Sequence, residues 1–89
     1  MHKDIKNKTI NRLKKIEGQV RGLQKLVESD TYCIHIIHQS FAIKSALSSF
    51  EDVVLENHLA THVAHQMKTG KEKEAISEIV DIYKLSKKK

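Results

Sequence analysis

TYCIHIIHQSFAIKSALSSFEDVVLENHLATHVAHQM, residues 31–67, contains neither Pro nor Gly. The stretch therefore predicts one uninterrupted helix from about Thr31 to Met67, roughly 55 Å long. Cys33, the single cysteine of the chain, precedes His58-x-x-x-His62 by 25 residues. His58 and His62 lie one helical turn apart and can grip one metal ion. Cys33 is a candidate third, soft ligand. A helix rises about 1.5 Å per residue, so Cys33 and His58 stand roughly 37 Å apart on the same rod. One straight helix cannot close this site, but two antiparallel copies can. Their two-fold axis falls near Ala46, within the small-residue run Ser45-Ala46-Leu47-Ser48-Ser49. If these residues form a site, the protein is at least a dimer with two symmetric sites.

The flanking segments read as two shorter helices. From about Asp4 to Glu28, an apolar face is carried by Ile5, Leu13, Ile16, Val20, Leu23 and Val27, with one gap of eight residues at its start. Gly18 and Gly22 inside this helix suggest a close helix contact. Ser29-Asp30-Thr31 supplies N-cap chemistry for the long helix. Its apolar stripe is read as Ile34, Ile37, Phe41, Ala42, Leu47, Phe50, Val54, Leu55 and Leu59. Gly70 marks a turn and a helix C-cap. A third helix runs from about Glu72 to Leu85, with Ile76, Ile79, Val80 and Tyr83 on its apolar face. The expected fold is all-α, a three-helix protomer with one long central helix, forming a single domain over residues 1–89.

At 89 residues the chain buries a modest core, and oligomerisation is a usual remedy. No apolar run approaches the ~20 residues of a membrane span, and no signal-peptide core precedes the first helix, so a cytoplasmic location is expected. The formal net charge is +5, with Lys and Arg gathered toward both ends, including Lys87-Lys88-Lys89, which reads as a tail. Such a basic domain points to polyanions, nucleic acid first, with a solvated helical surface as the alternative. Catalysis has little support, because there is no phosphate loop, no nucleophile elbow and no His-Glu-x-x-His pairing. So small a helical chain offers little room for an organic substrate.

A Cys/His/His set suits Cu(I), Zn(II), Ni(II) or Co(II). Three ligands complete a trigonal Cu(I) site. Ni(II) or Co(II) requires more, for which His2 is a candidate. His65, three residues after His62, is a further possible ligand. His35 and His38 point away from the shared face and are expected to be surface histidines. Cys33 as a merely packed thiol is the plain alternative.

Arg12-Leu13-Lys14-Lys15-Ile16-Glu17-Gly18-Gln19-Val20-Arg21-Gly22 resembles the first-helix signature of the copper-sensitive operon repressors, a bacterial family that also contains nickel/cobalt- and formaldehyde-responsive members. The resemblance continues through Asp30-Thr31-Tyr32-Cys33 and Asn57-His58-Leu59-x-x-His62 and covers nearly the whole chain. It implies a tetramer built as a dimer of antiparallel dimers, with the metal between protomers. It also implies that the metal-free form binds double-stranded operator DNA and that effector binding releases it, derepressing efflux or detoxification genes. By this resemblance Cys33 and His58 match ligands. His62 falls where copper members carry a second Cys and nickel/cobalt members a His. Tyr32 and Glu78 match residues that connect with the His ligand and carry the allosteric signal. These matches favour Cu(I), with Ni(II) or Co(II) next. Persulfide sensing is disfavoured, since it pairs two cysteines. Arg12 matches an operator-binding Arg, and Lys14, Lys15, Arg21 and Lys44 are its neighbours on the basic face. Ser49 stands where the family often has a second Arg. The rivals are a metal buffer without DNA binding and a purely structural helical oligomer.

Overall fold

The computed structural model describes residues 1–88, and Lys89, the end of the basic tail, lies outside them. Four α-helices follow one another: α1 (Lys3–Glu28), α2 (Cys33–His58), α3 (Ala64–Lys68) and α4 (Glu72–Ser86). A π turn, Leu59–Val63, joins α2 to α3 with no loop residue between them. The protomer thus keeps the expected three helical stretches, and no strand occurs among the described residues. The middle stretch is not the uninterrupted α-helix expected from the sequence. A π turn takes up one extra residue by bonding i→i+5, and here it coincides with the histidine pair.

The chain groups into two compact units, Met1–Leu55 and a second that begins at Glu56. In the first unit α1 and α2 bury Ile16 and Ile43, each 7% exposed, together with Thr9. Thr9 fills the eight-residue gap in the apolar pattern of α1. Its hydroxyl donates to the carbonyls of Ile5 (3.0 Å) and Lys6 (2.8 Å), so its burial leaves no polar atom unsatisfied. The inward stripe of α1 is Ile5, Thr9, Arg12, Ile16, Gln19, Leu23 and Leu26, all at least partly buried. Leu13, Val20 and Val27, placed on one face with Ile16 by the sequence, lie exposed on another. In α2 the buried position is Ile43, which the predicted stripe omits, while Ile34, Ile37, Phe41 and Leu47 are exposed.

Ser29-Asp30-Thr31 ends α1 and does not cap α2. Thr31 N–H donates to the Leu26 carbonyl (3.0 Å) and Asp30 N–H to the Val27 carbonyl (3.1 Å), the paired bonds of a Schellman closure. Asp30 occupies the left-handed position that closure requires, at φ 53°. The Ser29 hydroxyl donates to the Lys25 carbonyl at 2.6 Å. In the first turn of α2 the N–H groups of His35 and Ile36 converge on the Tyr32 carbonyl. Within the described protomer, Gly18 and Gly22 do not sit against another helix. A methyl group on Gly18 would meet only the Arg21 guanidinium at 3.9 Å, and one on Gly22 would meet nothing within 4 Å.

In the second unit α3 ends as predicted. Gly70 takes φ 79°, and Lys71 N–H donates to the Gln66 carbonyl at 2.8 Å. The turn leads into α4, which contacts α3 and carries Ala75, 1% exposed. Glu72 and Glu74 lie in its first turn and Lys84 in its last, signs that suit the helix dipole. Lys87 is not free, because its ammonium lies 4.4 Å from the centroid of the Tyr83 ring.

Candidate metal centre

Cys33 is the first residue of α2, and its thiol is exposed. It owes this position to the closure of α1, which turns the chain at Asp30 and leaves Tyr32 as the acceptor for the new helix. Tyr32 is 70% exposed and meets the His35 ring edge-on, with centroids 5.9 Å apart at 66°. His35 and His38 are exposed, as the helical spacing predicts.

His58 is the last residue of α2, and His62 lies in the π turn that follows. The two rings stack, with centroids 5.3 Å apart at 29°. His58 Nε2 lies 3.9 Å from Glu78 Oε2 on α4. That is beyond a direct hydrogen bond but leaves one carboxylate oxygen facing one ring nitrogen. A metal-ligating His in general has a partner of this kind on the ring nitrogen turned away from the ion. His65 on α3 is exposed. His2 caps α1, where its Nδ1 accepts the Asp4 N–H at 3.3 Å and lies 3.9 Å from the Asp4 carboxylate. The sequence reading missed that local role.

Among the described residues no three His, Cys, Asp or Glu side chains of one protomer cluster closely enough to hold a metal. Cys33 opens α2 and His58 closes it, and a helix cannot bring its own two ends to one ion. What a protomer carries is a thiol at one end of α2 and a stacked pair of imidazoles at the other. Thiolate with imidazole fits a soft or borderline ion.

The basic residues divide in a way the sequence did not resolve. An open cleft between α1 and α2 is lined by Lys8, Arg12, Lys15, Gln19, Ala46 and Ser49, among others. Arg12 and Lys15 were expected on a nucleic-acid face, and Lys8 and Gln19 were not. The periodicity that places Arg12 and Gln19 inward with Thr9 and Ile16 was the available signal. Arg12 from α1 and Ser49 from α2 thus line the same cleft. The Gln19 side-chain oxygen is buried without a hydrogen-bond partner. Lys14, Arg21 and Lys44 lie outside the cleft. Arg21 donates to Glu17 at 2.9 Å, and the Lys44 ammonium stands 5.6 Å from the Phe41 ring centroid. No described helix is long and apolar enough to cross a membrane.

The chain is 45% identical over 85 residues to the copper-sensing transcriptional repressor CsoR of Bacillus subtilis, covering 93% of this chain and 84% of that protein. It is 35% identical over 83 residues to CsoR of Mycobacterium ulcerans, covering 93% and 71%. Its fold matches the crystal structure of the copper-sensing repressor CsoR with Cu(I) from Geobacillus thermodenitrificans at a TM-score of 0.93 and 39% identity, covering 99% of this chain and 92% of that one. Residues 5–84 match the profile of the metal-sensitive transcriptional repressors. The chain belongs to that family: it is a metal-responsive transcriptional repressor and not an enzyme.

Proposed function

We propose that the effector is Cu(I), held between two antiparallel protomers by Cys33 of one and His58 and His62 of the other. The observation that carries this reading is the pairing of the His58 and His62 rings at 5.3 Å, at the opposite end of α2 from an exposed Cys33 thiol. A second copy running antiparallel supplies the missing half of each site, and the exposed Ile37 and Leu47 share the Cys33 face of α2 as material for that seam. A metal held by these residues would tie the start of α2 in one protomer, at Cys33, to the π turn of the next, at His62. Glu78 orients His58 through the ring nitrogen turned away from the ion, and Tyr32 of the neighbouring protomer lies beside the same site. His2 and His65 are additional ligands only for a metal of higher coordination, such as Ni(II), Co(II) or Zn(II). The assembly is a dimer of dimers, a single regulatory domain per chain, acting in the cytoplasm.

The DNA face is the cleft of Lys8, Arg12, Lys15 and Ser49, with Lys14, Arg21 and Lys44 as outlying phosphate contacts. Phosphate contacts make the affinity steeply salt-dependent. Ser49 donates a single hydroxyl to that face where an Arg would bring a charge. Metal must bind the low-affinity DNA state better than the repressing state, and the coupling is reciprocal.

Anaerobic titration of the reduced protein on labelled operator DNA tests this reading. One Cu(I) per protomer should release the DNA, and Cys33→Ala should abolish both binding and release. Release by Ni(II) or Co(II) in a His2-dependent way, with weak Cu(I) binding, would reassign the effector.

A further inference from the structure

We propose that Thr61 is the positioning residue of the two-histidine pair, its hydroxyl holding the π turn in the register that sets His58 and His62 side by side. The inference rests on the ligand assignment above and goes beyond it to a residue that is not a ligand. The π turn starts immediately after His58 and contains His62, while the helix on either side is regular α. π-helix is rare, well under about 1% of residues in globular proteins, so a π turn that coincides with a donor pair needs something to hold it there. Thr61 Oγ1 donates to the Asn57 carbonyl at 2.7 Å, from within the π turn back into α2. That bond spans the junction at which the α register gives way.

The other hydroxyls bonded back onto their own helices do not share this setting. Ser29, Thr69 and Ser86 act at helix ends. Thr9 sits inside α1 but divides its bond between the Ile5 and Lys6 carbonyls, and α1 stays regular around it. Among the described residues, only Thr61 makes its bond inside a π turn. A back-bonded Thr bends a helix, and its β-branch restricts the rotamers from which it can bond. The consequence for the donors is geometric. Residues four apart occupy different relative angles in α and π registers, so the register of this turn fixes the angle between the two imidazoles before any ion arrives.

Thr61 is exposed, so Thr61→Val removes the hydroxyl without opening a core, and Thr61→Ser retains it. The first readout uses the metal-free full-length protein: the carbonyl carbon shift of Asn57 and the ring-to-ring NOE between His58 and His62. The second is Cu(I) affinity by competition. Thr61→Val should shift the Asn57 signal, weaken the NOE and lower Cu(I) affinity about tenfold, the scale of one net hydrogen bond. Thr61→Ser should stay within about twofold of the native chain. His62→Ala separates the two levels of the argument. If His62→Ala weakens Cu(I) binding while Thr61→Val leaves shift, NOE and affinity unchanged, the positioning role is overturned and the ligand assignment stands. If His62→Ala binds Cu(I) like the native chain, the ligand assignment itself is overturned, and Thr61 positions no metal-binding pair.

Discussion

The two faces of α2 differ in what they have been given to bury. One face, through Ile36, Ile43, Ala46 and Phe50, turns toward α1 and is at least partly covered. The other carries Cys33, Ile34, Ile37, Phe41 and Leu47, all exposed. α1 repeats the division, with Ile16 buried and Leu13, Val20 and Val27 exposed. A helix apolar on more than one face is suited to more than one partner. The covered faces hold a protomer together, and the uncovered face of α2 starts at the exposed Cys33 thiol.

If that division is right, substitutions on the two faces fail differently. Ile43→Ala should cost about 2–5 kcal/mol, because it leaves a cavity in the small α1/α2 core. Its thermal midpoint should fall by a similar amount at any protein concentration. Leu47→Asp should leave that core intact and weaken self-association by about 2–3 kcal/mol, the cost of setting a charge in an apolar seam. Sedimentation should show lighter species, and Cu(I) binding should fall with assembly. If instead Leu47→Asp unfolds the chain without dissociating it, the two faces are not separate.

Smaller effects sharpen the contrast between cleft and outlying charges. Arg12→Ala should weaken operator binding about tenfold and reduce the salt slope by about one, whereas Arg21→Ala, already paired to Glu17, should do less. Fluorescence anisotropy across a salt series measures both. Asp30→Gly should stabilise the fold by about 1 kcal/mol, since Asp30 holds a left-handed backbone that Gly adopts without strain. Denaturant unfolding reads that change.

Much of this was legible in the chain itself, and the failures share a cause. Helix count and the turn at Gly70 followed from local chemistry, as did the reach of His58 to His62. The core did not, because apolar periodicity marks a residue for burial without saying against what. Leu13 and Val20, which face away from α2, read the same as Ile16, which does not. Thr9 was invisible as a core residue because its hydroxyl is satisfied by its own helix. Ser29-Asp30-Thr31 carries residues equally suited to a cap and to a closure, and only the φ of Asp30 separates the two. The π turn left no composition signal, since Leu59-Ala60-Thr61-His62-Val63 would also fit an α-helix. Lys8 and Gln19 joined the basic cleft only once α1 was laid against α2.

The intersubunit site is tested most directly by mixing two inactive variants, Cys33→Ala and the double variant His58→Ala/His62→Ala, and counting bound Cu(I). Each alone should bind none at the sensor site. After subunit exchange, a mixed dimer holds one complete site, Cys33 from one chain and both histidines from the other. The account predicts recovery of one Cu(I) per mixed dimer. A mixture that recovers none, or a Cys33→Ala chain that binds Cu(I) as tightly as the native one, would contradict it.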